Sequence, residues 1–150
     1  MRDLIRSKGY SYLLVSCQFV CIVLLVVFNL TAFNYVFSQI FLVAGFGLGF
    51  YTLMDNRVKN FNIVPDIKKD ARLVMTGAYR YVRHPMYSAV AVIMFGMICE
   101  AFTLTNISIF SVLVIVLYLK AIKEERLWIK KSLGYRAYMK RTKMFVPFIF

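Results

Sequence analysis

The chain contains a single histidine, His84, and only three cysteines, Cys17, Cys21 and Cys99. One imidazole excludes a bis-histidine haem site or a histidine-rich metal centre within the chain. Three cysteines, each inside an apolar run, give neither a disulfide framework nor a zinc-ligand spacing. They read as small buried hydrophobes, and no metal site is expected. Acidic residues are scarce too: seven Asp and Glu stand against nineteen Lys and Arg, a net charge of +12. No internal repeat, low-complexity stretch or separate soluble domain is evident, so residues 1–150 are read as one domain.

What the chain has in excess is apolar surface. Hydrophobic residues make up 61% and aromatics 17%, and the mean hydropathy is +0.68. Soluble domains lie nearer about 45–50% apolar. The excess excludes a disordered chain and argues against nucleic acid as the partner of the positive charge; it fits a protein embedded in lipid. Arg2, Arg6 and Lys8 precede an apolar run, as in a signal peptide. That run is too long for a signal core and has no small-residue cleavage site, so it is expected to be a membrane helix.

The reading is all-α and polytopic, with four transmembrane helices over about 11–33, 35–54, 86–104 and 107–122, and an interfacial segment over 123–150. Pro85 suits a helix start, where its missing N–H costs nothing. The charges check the span count. Basic residues precede span one, lie between spans two and three (Arg57, Lys59, Lys68, Lys69, Arg72, Arg80 and Arg83), and follow span four from Lys120 to Lys143. The opposite connections, near Asn34 and Thr105-Asn106, carry none. The positive-inside rule then places both termini in the cytoplasm, with the excess charge attracted to anionic headgroups. Two Asn-x-Ser/Thr triplets, at Asn29 and Asn106, fall at span edges that suit glycosylation poorly. Gly45 and Gly49 share one helix face and read as close packing rather than a nucleotide loop.

Two segments at the basic end carry chemistry. Leu73 to Tyr87 runs from a loop into the start of span three and holds Gly77, Tyr79, Arg83 and His84. A helix start offers free N–H groups and a positive dipole end to an electron-rich ligand group. The second segment, Lys120 to Arg126, contains the adjacent carboxylates Glu124 and Glu125. Lys120 and Glu124 share a face, and Glu125 points toward Arg83 or Arg126. Glu100 lies near the opposite end of span three and reads as an interfacial carboxylate. Trp128, Tyr135 and Tyr138, set among lysines and arginines, read as interfacial anchors.

Taken in order, Leu73-Val74, Thr76-Gly77-Ala78-Tyr79, Arg83-His84-Pro85-Met86-Tyr87, Glu124-Glu125, Leu133-Gly134-Tyr135 with Tyr138, and Pro147 make a pattern. From about Arg72 to Pro147 the chain resembles the isoprenylcysteine carboxyl methyltransferase family and the related phospholipid N-methyltransferases. Relatives often have Pro at the Ala78 position, Gly at Ala89, Phe at Leu133 and Arg at Lys120. The resemblance implies an integral membrane methyltransferase using S-adenosylmethionine. Its pocket would form from the loop between spans two and three, the start of span three and the C-terminal helix.

Carried over, the resemblance implies cofactor contacts at Arg72, Leu73, Val74, Tyr79, His84, Pro85, Met86, Tyr87 and Glu124, and a substrate contact at Lys120. Arg83, His84 and Glu125 are the candidates for the catalytic step. The acceptor is expected to be lipid-like or prenylated, with carboxylate O-methylation ahead of amine N-methylation. A carboxylate is already ionised at neutral pH, whereas an amine needs a base, with His84 or a glutamate nearest. The alternatives are a phospholipid amine N-methyltransferase, an NADPH-dependent sterol-type reductase with a similar His-Pro-x-Tyr region, and a non-catalytic bundle.

Overall fold

The computed structural model describes residues 7–56, 62–67 and 71–149. Arg2, Arg6, Arg57, Lys59, Lys68 and Lys69, used above for orientation, lie outside the described residues. Among the described residues five helices carry the fold: α1 (Lys8–Phe28), α2 (Val36–Asp55), α3 (Pro85–Ile98), α4 (Leu104–Lys131) and the short α5 (Tyr135–Arg141). Among the described residues there is no strand beyond one isolated parallel bridge, Val82 with Lys143.

Helix α1 starts before the expected span because Ser7 caps it, its hydroxyl accepting from the Tyr10 amide at 3.1 Å. It buries a single stripe, Ser11, Leu14, Gln18, Cys21 and Leu25, at helical spacing. It ends at Phe28, short of the expected Phe33, and a short 3₁₀ turn, Leu30–Asn34, carries the chain over to α2. At this end the Asn29 and Asn106 amides bond each other in both directions, at 2.8 and 3.2 Å. Both asparagines are buried, so the folded chain presents neither triplet as a sugar acceptor.

Helix α2 packs most extensively on α3, and α1 on α4. Close approach needs glycine: a Cβ on Gly45 would lie 2.5 Å from Ile93 Cγ1 and 3.1 Å from the Ala89 carbonyl oxygen. A Cβ on Gly49 would meet Ala89 Cβ at 3.6 Å, so Ala89 faces helix α2 and not a ligand. The apolar core, with Leu25, Leu42, Met97, Ile98, Leu113 and Leu117, fills the half of the bundle away from the basic end. Large apolar side chains also cover the outside, Val43 at 73% and Phe46 at 61% exposure among them. Such a surface is unfavourable in water and favourable in hydrocarbon.

Helices α1, α2 and α4 are long and apolar enough to cross a membrane. Helix α3 is shorter than the expected 86–104, with 14 residues ending at Ile98. That is about 21 Å of helix against a hydrocarbon core of about 30 Å. The fourth expected span begins earlier than Ile107, because the Thr103 hydroxyl caps α4 by accepting from the Asn106 amide at 3.2 Å. It also runs on to Lys131, carrying the Glu124-Glu125 segment as helix beyond the uncharged stretch Leu104 to Leu119. Glu100 is exposed at the far end of α3, away from the polar cluster.

Candidate active site

The loop leading into α3 is shaped by Gly77, whose φ of +52° lies in the left-handed region. The space where a side chain would sit is taken by the Asp55 carboxylate and the Tyr51 hydroxyl of α2. Thr76 Oγ1 donates to Asp55 Oδ1 at 2.9 Å, tying the loop to the end of α2. The returning C-terminal strand of chain lies along residues 81–84. The Arg83 amide donates to the Lys143 carbonyl at 2.8 Å, and the His84 amide to the Met144 carbonyl at 3.1 Å. His84 therefore enters α3 with its backbone held on one side and Pro85 fixing the first turn.

The His84 ring meets both adjacent carboxylates of α4. Nε2 lies 3.2 Å from Glu125 Oε1 and Nδ1 lies 3.5 Å from Glu124 Oε2. The ring stacks on Tyr87 at 5.5 Å between centroids, and the Tyr87 hydroxyl donates to Glu124 Oε1. Arg83 Nε donates to Glu125 Oε1 at 2.6 Å, and its Nη1 donates to the carbonyls of Thr142 at 2.5 Å and Met139 at 3.2 Å. One carboxylate thus binds an arginine and the histidine, while the other binds the histidine and a tyrosine.

This pairing sets the charge states. Burial alone pushes His84 down, but the hydrogen bonds and charges of Glu124 and Glu125 outweigh it, and its pKa is raised. With a carboxylate facing each nitrogen, the doubly protonated ring is favoured more than in a free imidazole. Burial pushes the Glu125 carboxyl up, and His84 and Arg83 more than reverse that, so its pKa is lowered. Burial also raises Tyr79, Tyr135 and Tyr138, with nearby glutamates adding to the effect, so all three stay neutral hydroxyls. The Tyr138 hydroxyl donates to the Tyr79 carbonyl at 2.6 Å, fastening α5 to the loop.

A polar cavity of about 130 Å³ opens beside this cluster. Of the sequence-predicted residues, Arg72, Leu73, Val74, Tyr79, Arg83, His84, Met86, Tyr87 and Glu124 line it. Pro85, Glu125 and Lys120 do not. Pro85 is buried at the helix start, and Glu125 lies behind Arg83 and His84, which it holds. Lys120 is 1% exposed, its ammonium held by Gln18 Oε1 at 2.5 Å and the Ile63 carbonyl at 3.1 Å. It faces the site as a cation 5.0 Å from the Tyr87 ring centroid, and its charge interacts with that of Glu124.

Sequence reasoning missed the wall formed by Asn56, Asn62, Val64, Asp66 and Ile67, which carries no motif. Trp128 was open to detection, since it follows Glu124 by one helical turn and both line the cavity. Tyr135 and Tyr138 are 2% and 7% exposed and line the cavity too, where interfacial anchors were expected. A second cavity of about 660 Å³ is almost wholly apolar. It lies between α2, α3, α4 and the C-terminal chain, lined by Leu48, Ala91, Val92, Val114, Ile115, Leu117 and Val146 among others. Tyr87 lines both cavities.

A model of the isoprenylcysteine carboxyl methyltransferase family matches residues 39–130, more than half of the chain. The match runs from early α2 to the end of α4 and covers every sequence-predicted site residue. Neither a curated protein nor a solved structure matches the chain.

Proposed function

Because the chain belongs to the isoprenylcysteine carboxyl methyltransferase family and is thereby a membrane methyltransferase, we propose that it methylates the carboxylate of a lipid-like or prenylated acceptor, with S-adenosylmethionine as donor. The observation that carries the reading is the position of Tyr87, which borders a polar cavity on one side and an apolar groove on the other. A water-soluble donor and a lipid-soluble acceptor would meet across that side chain.

The lining fits the donor. This cavity sets the Glu124 carboxylate and the rings of Tyr79, Tyr87, Trp128 and Tyr135 together with Arg72, while the Asp66 carboxylate on its wall is paired with Lys123. Carboxylates and ring faces attract a cation. Glu124 would take the ammonium or a ribose hydroxyl, Arg72 and the first turn of α3 the carboxylate, and the aromatic rings the adenine and the sulfonium. When bound, the donor supplies an electrophilic methyl group on positively charged sulfur.

The chain's own part is positioning and exclusion of water. The chain's residues would hold an ionised acceptor carboxylate in line with the donor's methyl group, so that its oxygen could take the methyl while the carbon–sulfur electron pair left with sulfur. Holding both reactants in that line supplies most of the rate. No base is needed for an ionised carboxylate. That agrees with a site whose histidine has a carboxylate facing each ring nitrogen, and on this reading O-methylation is favoured over N-methylation.

The proposed topology has four spans with both termini cytoplasmic. Helix α3 would be the short one, helped across by Cys99 to Thr103, and the polar cavity would face the cytosol. The test is purified protein in micelles, calorimetry with S-adenosylmethionine, and incubation of labelled donor with a membrane extract. The expected product is a lipid-soluble methyl ester that releases labelled methanol in base. Binding of NADPH in place of S-adenosylmethionine, or a base-stable labelled product, overturns the assignment.

A further inference from the structure

We infer that Lys120 and Lys123 are positioning residues for donor binding, fastening the segment Asn62–Ile67 to helices α1 and α4 so that it forms a wall of the polar cavity. This rests on the methyltransferase reading of that cavity. The segment contributes Asn62, Val64, Asp66 and Ile67 to the lining, and α1 contributes nothing. What α1 does is hold the segment through two ammonium groups.

Lys120 Nζ donates to the Ile63 carbonyl at 3.1 Å and to Gln18 Oε1 at 2.5 Å. One turn on, Lys123 Nζ lies 3.2 Å from Asp66 Oδ1, donates to the Ser7 carbonyl at 3.1 Å, and donates to the Ser11 hydroxyl oxygen. Ser11 Oγ in turn donates to Asp66 Oδ1 at 3.2 Å. Asn62 Nδ2 donates to the Asp66 carbonyl at 2.7 Å, which closes the segment on itself. Each lysine therefore bridges the same two neighbours of α4, the segment and α1.

The two lysines are 1% and 2% exposed. Lysine is rarely buried so fully, because an ammonium loses its hydration unless partners replace it. Here the partners are almost all on the segment or on α1. An apolar side chain would fill the same space at less cost, so packing alone does not account for two charges. Holding the segment does. The partners on α1 precede residue 39, where the family match starts, so they lie outside the matched range.

The consequence falls on affinity. A donor that needs the wall in place binds with an apparent affinity scaled by the fraction of molecules that have it in place. Neither lysine touches the reacting atoms in this scheme, and Lys120 in particular serves the donor side of Tyr87 and not the acceptor.

The experiment uses the full chain in micelles, wild type against Lys123→Met and Lys120→Met, with Ser11→Ala as a milder third. Calorimetry reads S-adenosylmethionine affinity, and hydrogen exchange reads the backbone amides of residues 62–67 without donor. Each lysine variant is expected to bind donor about tenfold more weakly and to exchange faster at those amides. The acceptor KM at saturating donor is expected to move less than about twofold. Ser11→Ala gives the same direction with a smaller size, and decides the matter if a lysine variant does not fold. Variants that bind donor like a binding-competent wild type overturn the fastening, as does an equal loss on the acceptor side. A wild type that does not bind the donor overturns the methyltransferase reading itself, and this inference with it.

Discussion

His84 and Glu125 face each other at 3.2 Å, ring nitrogen to carboxylate oxygen, and the same oxygen accepts from Arg83 at 2.6 Å. Glu125 is 6% exposed and does not line the polar cavity, so its part is to hold two cavity-lining side chains. Glu125→Gln leaves a buried guanidinium and a buried imidazole without their shared anion. Removing one partner from a buried pair costs about 3–5 kcal/mol. The expected result is a marked drop in the thermal midpoint in micelles, with part of the methyl transfer retained in the molecules that remain folded.

Glu124 is the more exposed of the two, and it lines the cavity. Glu124→Gln keeps the shape and removes the charge offered to the donor. A hydrogen bond to a charged group contributes about 1.5–3 kcal/mol, so S-adenosylmethionine binding is expected to weaken by roughly ten- to a hundredfold. Calorimetry reads this directly, and the thermal midpoint is expected to move far less than for Glu125→Gln. Equal effects of the two variants on stability and on donor binding contradict this division of labour.

The contrast between the two glutamates also shows what the sequence reveals. Their adjacency, the Arg83-His84-Pro85 run and the left-handed turn at Gly77 are local features, and they are legible because each depends on neighbours within a few residues. The long spans are legible as uncharged runs. The end of α3 is not, since Cys99, Ala101, Phe102 and Leu104 are as apolar as the helix before them, and only the Thr103 cap marks where α4 begins. Lys120 stands where relatives have arginine, and the resemblance sets it against the acceptor. In the structure its ammonium is held by the Ile63 carbonyl and by Gln18, 102 residues away on a different helix. No periodicity or spacing reports such a contact. Tyr135 and Tyr138 were misread for a related reason. Tyrosine among lysines describes a membrane interface by composition, yet here packing against the loop and α4 buries both rings.

The raised pKa of His84 and the lowered pKa of Glu125 define a window of stability. A histidine whose pKa is raised by folding adds stability that is complete below its unfolded value, about 6.5, and is lost as pH climbs through the folded value. A carboxylate lowered by folding adds stability that is present above its unfolded value, about 4.3, and is lost as pH falls through the folded value. The thermal midpoint is therefore expected to pass through a maximum on the mildly acidic side of neutrality and to decline toward higher pH. In His84→Asn, measured over the same range, the alkaline decline is expected to flatten.

Helix contact between α2 and α3 bears on the width of the apolar groove, because α3 carries Tyr87 and α2 carries Leu48, and both line it. Gly45→Ala places a methyl group 2.5 Å from Ile93 Cγ1 and 3.0 Å from the Ile93 backbone nitrogen. The backbone atom has no rotamer to escape into, so the helices must separate, at a cost of about 1–3 kcal/mol. Gly47→Ala is the control, since a Cβ there meets nothing within 4 Å. Its effect is expected to be neutral or slightly stabilising through helix propensity alone. Thermal unfolding of the two variants side by side checks both signs.

The apolar groove gives the reading that separates acceptor from donor. Ala91 lines the groove and is absent from the lining of the polar cavity. Ala91→Phe would extend a ring into a space of about 660 Å³ where an acceptor chain is proposed to lie. Competing for that volume raises the acceptor KM, by about tenfold if two methylenes' worth of buried chain is displaced. The donor site is on the other side of Tyr87, so calorimetric affinity for S-adenosylmethionine is expected to stay within about twofold of wild type. A variant that loses both affinities together would show that the groove supports the fold and holds no acceptor, and the carboxylate would then have to arrive by another route.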